Sequence, residues 1–434
     1  LLLDGRLFRN DGALQFSELP LPDGPPANGG LFADLDGDGD SDLLLSGRTA
    51  NRVLLNLGAA GAWEARPLPD SGGHTEAVAL ADVDGDGDLD LYLANHERGG
   101  VRRGLCVADR LLLNDGRAGF SDGTAAAGML TETPLCGRGA TFADVDGDGD
   151  QDLVVGNYRL DPNLLWLARG DGTFVEAGAA WGVRGRNKSG AFGHTIGVAA
   201  GDLDGDGRDD LFLANLAHPR YIEYSDSSQL LLSGSGAPPW PDRRSAAGIA
   251  YAETTADAAL ADLDNDGDLD LFFTAIYPGR SSYLHLNDGR ARFVDASWRS
   301  GARVANGWGS AFADADGDGA LDLLVASADG VRLLRNRGGA GHWLQVAIDD
   351  RSGCQPQGVG ARVTLDDGRR VQARTPRLGR GTGSQDALPL HFGLGAHAGP
   401  VTLRAVTACG REVRLDGVLP DRRVTLRLPA APAG

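Results

Sequence analysis

An all-β fold follows from three features of this 434-residue sequence: an acidic nine-residue string that recurs six times, a dense apolar triplet behind every copy, and 65 glycines with no G-X-Y period. The copies are DLDGDGDSD from Asp34, DVDGDGDLD from Asp82, DVDGDGDQD from Asp144, DLDGDGRDD from Asp202, DLDNDGDLD from Asp262 and DADGDGALD from Asp314. Their intervals are 48, 62, 58, 60 and 52 residues, a mean period of 56. The triplets are Leu43–Leu45, Leu91–Leu93, Leu153–Val155, Leu211–Leu213, Leu271–Phe273 and Leu323–Val325. Each unit reads as four short strands, A to D. A small-residue stretch such as GGLFA, AVALA or GSAFA forms strand A, the string is the A–B turn and the triplet opens strand B. N-D-G or a relative, as in LLLNDGRAGF and YLHLNDGRARF, is the C–D hairpin turn. Four-stranded sheets repeating at this period predict a β-propeller.

Composition narrows the function classes. The apolar fraction of 42% with 23% charged residues is that of a folded chain, and no apolar run is long enough to predict a membrane span. Sixty acidic against 41 basic residues give a formal charge of −19, which argues against a nucleic-acid partner. The charge is uneven: from His342 onward 13 Arg face 8 Asp+Glu, a net of +5, leaving −24 for the first 341 residues. The sequence opens at Leu1 with no Met and no signal peptide, as a mature or trimmed chain would. The four cysteines have no metal-ligand spacing. Cys106–Cys136 and Cys354–Cys409, each pair within one region, read as two disulfides of an oxidising compartment; four buried free thiols are the alternative.

Within the string, positions 1, 3, 5 and 9 are Asp in all six copies. These are Asp34, Asp36, Asp38 and Asp42; Asp82, Asp84, Asp86 and Asp90; Asp144, Asp146, Asp148 and Asp152; Asp202, Asp204, Asp206 and Asp210; Asp262, Asp264, Asp266 and Asp270; and Asp314, Asp316, Asp318 and Asp322. Position 7 is Asp40, Asp88, Asp150 and Asp268, but also Arg208 and Ala320, so it is expected to contribute its backbone carbonyl. Four carboxylates and one carbonyl around a point form an all-oxygen shell suited to Ca²⁺. Six such ions, expected to be structural, would shift the net charge from −19 to −7. An EF-hand loop needs an acidic ligand at position 12, where this sequence has Leu45, Leu93, Val155, Leu213, Phe273 and Val325. Solvated acidic turns without metal are the bland alternative.

The strings and their flanks resemble the FG-GAP (VCBS) repeats of integrin α-chains and bacterial relatives. The last ninety residues resemble the ASPIC/UnbV domain that follows such a propeller in the cartilage acidic protein family, through HWLQVAI from His342, GVGARVTL from Gly358, Ser384–Gln385 and HFGLG from His391. One departure is TACG at Thr407–Gly410, where a W-P-x-G phrase is expected. The resemblance implies seven blades. Residues 1–19 supply strands B, C and D of a blade lacking strand A, closed from the N-terminal side with or without a C-terminal strand; six blades is the alternative. The expected domains are a propeller over 1–341 and a small β-sandwich over 342–434.

In this scheme the A–B and C–D turns share one face and the D–A and B–C loops the other. The second face carries the residues free for function. Its candidate ligand-binding or catalytic residues are His74, Glu76, His96, Glu97, Arg138, Tyr158, Arg159, His194, Asn306 and Trp308, with His218 and Tyr277 nearby. Two readings follow. One is a binding protein, secreted, periplasmic or at the cell surface, that takes a small molecule, glycan or protein on this upper face. The other is a Ca²⁺-requiring cyclase, isomerase or lyase acting there on a natural product or polysaccharide, with His74 or His194 as acid or base. Arg169–Gly170–Asp171 sits where other units carry N-D-G and reads as a turn. Asn187–Lys188–Ser189 fits a glycosylation acceptor only by a short pattern.

Overall fold

The structure, a computed structural model, describes all residues except 1, 4, 59–60, 70–73, 99–104, 187–189, 218–224, 339–340, 351–353, 355 and 429–434. His218 and the 187–189 triplet lie outside the described residues. The described chain is all-β apart from four very short helical turns. Seven antiparallel sheets precede His342, spanning 2–19, 29–67, 75–122, 137–176, 195–231, 255–295 and 307–334.

The small-residue stretches form the first strands of six sheets: Gly29–Ala33, Thr75–Ala81, Gly137–Ala143, Thr195–Gly201, Thr255–Ala261 and Gly307–Ala313. From the second onward, each lies against the next. Their small side chains follow from that proximity. A Cβ on Gly139 would stand 2.3 Å from the Ile196 carbonyl, and one on Gly197 2.4 Å from that of Ala256. The strands that follow the first five strings are buried along their whole length, as in Asp90–Asn95 and Asp152–Asn157, while Asp322–Ser327 is partly exposed towards its end. Covered on both faces by neighbouring sheets, they read as continuous apolar runs rather than as alternation.

Two of the six string-bearing sheets have three strands where four were expected. After Gln229–Leu231 the chain turns through a short 3₁₀ segment, Ser233–Ser235, into Pro238 and Pro239, which lack the N–H needed for a ladder. After Gly330–Leu334 the next strand is His342–Asp350, which joins a different sheet. The 2–19 sheet also has three strands, all N-terminal, and among the described residues no C-terminal strand joins it.

Beyond residue 341, two sheets enclose one apolar core. One orders Leu390–Gly395, His342–Asp350 and Arg422–Leu428; the other orders Val371–Arg374, Arg362–Asp366, Val401–Val406 and Glu412–Val418. Leu344, Val346, Phe392 and Leu426 meet Val363, Leu365, Leu403 and Ala405 between them. Both disulfides are formed, Cys106–Cys136 and Cys354–Cys409.

Candidate functional site: acidic turns, a plugged channel and an upper polar cluster

Each acidic string folds into the same hydrogen-bonded turn. In the first string the leading aspartate accepts amides from positions 4 and 6, as Gly37 and Gly39 donate to Asp34 at 2.9 and 3.0 Å, and the second, fourth and sixth strings repeat this. In the fifth, Asp262 accepts the position-6 amide of Gly267 at 2.9 Å. The ninth ties the turn to the sheet: Leu35 and Asn56 donate to Asp42, both at 2.8 Å, and Val83 and Asn114 donate to Asp90, both at 2.9 Å. The fifth accepts the amide of the seventh, from Asp40 to Asp38 through Ala320 to Asp318. At positions 4 and 6 the backbone has positive φ, for example 75° and 94° at Gly37 and Gly39.

Carboxylate oxygens of positions 1, 3 and 9 lie within 4.8 Å of one another in the first three turns, and those of Asp202, Asp204 and Asp206 do so in the fourth. Burial pushes the Asp90, Asp152 and Asp210 carboxyls up to about 8, and those of Asp42, Asp82 and Asp202 up to about 6. Asp36 Oδ1 and Asp262 Oδ1 are buried and accept no hydrogen bond. Oxygens crowded together with unused lone pairs fit a hard cation, which would remove their mutual repulsion. The seventh residue leans elsewhere: a Cβ on Gly116, in the C–D turn, would lie 2.5 Å from Asp88 Oδ2. The same approach joins Asp150 to Gly170 and Asp268 to Gly289, placing A–B and C–D turns on one face. Arg169–Gly170–Asp171 indeed lies in a hairpin turn, between Leu164–Ala168 and Phe174–Glu176.

The C-terminal sheets dock on this same face. Arg370 bonds Asp268 at 2.6 Å, Arg374 bonds the Gly267 carbonyl at 2.9 Å, and Arg377 pairs with Asp209. The Gly393 amide donates to Asp262 at 2.8 Å, His391 bonds Asn265 at 2.7 Å, and Gln345 and Arg423 reach Asp314 at 2.9 and 3.2 Å. The basic excess of one part thus meets the acidic excess of the other.

Between Arg374 and Leu390 the chain enters the ring of first strands. Leu378 bridges Leu80, the Gly381 amide donates to the Val198 carbonyl, and Thr141 donates to that of Gly379. Gly379, Gly381 and Gly383 have φ of 92°, 50° and 62°, and a Cβ on Gly379 would stand 2.1 Å from the Val78 carbonyl. At the centre Arg380 donates to Asp257 at 2.9 Å, to the Ala258 and Ser310 carbonyls at 3.1 and 2.7 Å, and to both oxygens of Asp386 at 2.7 and 2.9 Å. Gln385 and Asp386 then engage the backbones of Phe32 and Phe312.

On the opposite face seven of the ten sequence candidates converge. His74 and Glu76 flank the start of Thr75–Ala81, His96 and Glu97 follow Asp90–Asn95, Arg138 opens Gly137–Ala143, Tyr158 and Arg159 follow Asp152–Asn157, and His194 precedes Thr195–Gly201. Tyr158 is the hub. Its ring lies 5.5 Å from His96 and 4.6 Å from His194, with the Arg138 and Arg159 guanidiniums 5.2 and 5.6 Å from its centroid. Arg138 pairs with Glu76 at 3.5 Å, and Arg159 pairs with Glu97. Burial, reinforced by Arg138, Arg159, His74 and Arg48, pulls His96 down to about 3, and its buried Nδ1 has no partner. The other three candidates lie apart from the hub. His74, with φ 63°, meets it through its backbone, its carbonyl accepting the His96 amide at 2.9 Å; Asn306 accepts from the Tyr277 amide at 2.9 Å; Trp308, 41% exposed, lies in the Gly307–Ala313 strand.

Sequence reasoning missed Arg48, Asp257 and the channel position of the 376–388 segment, in which it singled out Ser384–Gln385 only as a phrase of the family resemblance. The available signals were an aspartate inside the small-residue stretch TADAALA and the spaced glycines of GRGTGS, which look like any surface loop.

Residues 34–93, 144–213 and 262–325 match the FG-GAP-like repeat family, and residues 351–433 match ASPIC and UnbV. Cartilage acidic protein 1 of Homo sapiens is 28% identical over 280 residues, covering 58% of this chain and 38% of that protein. Its Xenopus tropicalis counterpart is 26% identical over 291 residues, covering 63% of this chain and 42% of that protein. The chain thus spans about two fifths of the length of these relatives. Among solved structures, an Agrocybe aegerita lectin specific for non-reducing terminal N-acetylglucosamine has 20% identity and a TM-score of 0.41, over 71% of this chain and 80% of that one. Trypanosoma rangeli sialidase has 12% identity and a TM-score of 0.39, over 76% and 58%. Likenesses this slight carry no argument about ligands. The repeats, the following domain and the homology to cartilage acidic protein 1 agree, and the chain belongs to the family in which FG-GAP-like repeats precede an ASPIC/UnbV domain.

Proposed function

We propose that this chain is a secreted, calcium-stabilised seven-bladed β-propeller with a small C-terminal β-sandwich, and that it binds a ligand or partner through its upper face. The observation that carries the reading is the inequality of the two faces. The face with the acidic turns is engaged by the C-terminal sheets, and the channel beneath it is threaded by residues 376–388. The opposite face gathers His96, Arg138, Arg159 and His194 around Tyr158 from three successive sheets.

Seven sheets before residue 342 support the blade count, and the carboxylate clusters of the first four turns, with the same string in all six copies, support six structural Ca²⁺. Two disulfides support an oxidising location. Binding is favoured over acid–base chemistry because both glutamates of the cluster are spent on arginines rather than on His74 or His194, the two acid–base candidates.

Screening the intact chain against panels of glycans, peptides and small metabolites tests this. Tyr158→Ala should weaken any hit by roughly tenfold or more without unfolding the protein. A hit indifferent to Tyr158→Ala and Arg159→Ala but lost in Asp84→Ala would place recognition on the acidic turns and refute the assignment.

A further inference from the structure

Between the 29–67 and 307–334 sheets lies a cavity of about 750 Å³, and its chemistry is lopsided. Phe32, Trp308, Phe312, Leu324 and Leu388 supply apolar wall. At the upper end it is lined by Arg48, Glu76, Arg138 and Thr382. Here three donors are under-used. Arg138 reaches Glu76 through Nη2 at 3.5 Å, while its Nε is buried without a partner. The Thr382 hydroxyl is also buried without a partner. Arg48 is exposed and forms no ion pair among the described residues. At this end two guanidiniums accompany one carboxylate. Of the other carboxylates that line the cavity, Asp386 is paired with Arg380 at 2.7 Å, and Asp314 and Asp322 belong to the acidic turn, where Gln345 and Arg423 reach Asp314 and the Ala315 and Asn336 amides donate to Asp322.

Buried donors without acceptors are costly unless something supplies oxygen. An apolar cavity with a few convergent polar groups is the usual form of a small-molecule site. We infer that this cavity binds an organic carboxylate, its head against Arg48, Arg138 and Thr382 and its apolar body along Trp308 and Phe312. Planar guanidiniums suit a planar carboxylate, and the apolar wall disfavours a fully hydrated inorganic anion. This deepens the upper-face reading and rests on it. It also gives the C-terminal part a role in recognition. Thr382 sits at the tip of the channel segment, next to Gly383, where a Cβ would lie 3.5 Å from the Glu76 carbonyl, so the site draws on both parts of the chain.

The test is calorimetric titration of the intact chain at low salt with phenylacetate, its neutral isostere phenylacetamide and inorganic phosphate. Phenylacetate should bind at least about tenfold more tightly than the other two. Arg138→Gln and Arg48→Gln should each lower its affinity by about tenfold, and Thr382→Ala by a smaller factor. Arg48 is exposed, so that variant keeps its fold even if Arg138→Gln does not. Equal binding of acid and amide, both lost in Trp308→Ala, would overturn the carboxylate assignment and leave the upper-face reading standing. Absence of all binding, or phenylacetate binding unchanged in Arg48→Gln and Arg138→Gln, would also overturn it. So would binding of the strand peptide GWGSAFA that is indifferent to Arg48→Gln, which would assign the cavity to an extended chain.

Discussion

Replacing Arg380 with leucine should release the C-terminal segment from the channel. The guanidinium is 9% exposed and is held by Asp257, which is fully buried, by Asp386, and by the Ala258 and Ser310 carbonyls. Its removal leaves Asp257 with only the Ser310 amide and hydroxyl at 2.8 and 2.7 Å and the Ser384 hydroxyl at 3.4 Å. Stranding one partner of a buried ion pair costs about 3–5 kcal/mol. Asp386, 31% exposed, can turn to water, so most of that cost falls on Asp257. Because a chain of this kind need not unfold in one step, the apt assay is hydrogen exchange of residues 376–388 and of the first strands that face them. Arg380→Leu should speed exchange there by roughly two to three orders of magnitude, and adding Asp257→Leu should recover most of it, since an apolar pair can replace a buried ionic one. Unchanged exchange in the single variant, or no recovery in the double variant, would refute the role given to the pair.

Excess EGTA should lower the melting temperature sharply. A site saturated 100-fold above its dissociation constant contributes about 2.7 kcal/mol, while Arg208→Ala should change little because only its carbonyl is expected to bind. His96, whose folded pKa is depressed to about 3, should show no titration by NMR between pH 8 and 5. Its contribution to stability is present above the unfolded value near 6.5 and is lost as pH falls from there towards 3, so His96→Gln should flatten that part of the acid limb. Alkylation without reduction should modify none of Cys106, Cys136, Cys354 and Cys409, and removing the Cys106–Cys136 bridge, whose residues are 30 apart, should cost about 3–4 kcal/mol.

The repeat was legible because every copy has the same local task. Positive φ at the fourth and sixth positions demands Gly or Asn, and the buried ninth aspartate must tie two strands, so spacing alone exposes the turn. The upper-face candidates were legible for a similar reason: antiparallel strands alternate loop faces, so Tyr158 and His194 had to share a side. What escaped was non-local. Nothing near Arg380 announces that Asp257, 123 residues away, awaits it inside the ring. The fourth strand missing after Leu231 was written in Pro238 and Pro239, but the repeat pattern outweighed them.

The most direct test of the division between the faces is hydrogen-exchange mass spectrometry of the intact chain with and without a ligand recovered by screening. Protection should appear at residues 74–76, 96–97, 138, 158–159 and 194, with the acidic turns unchanged. Protection confined to those turns, or to residues after 389, would contradict it.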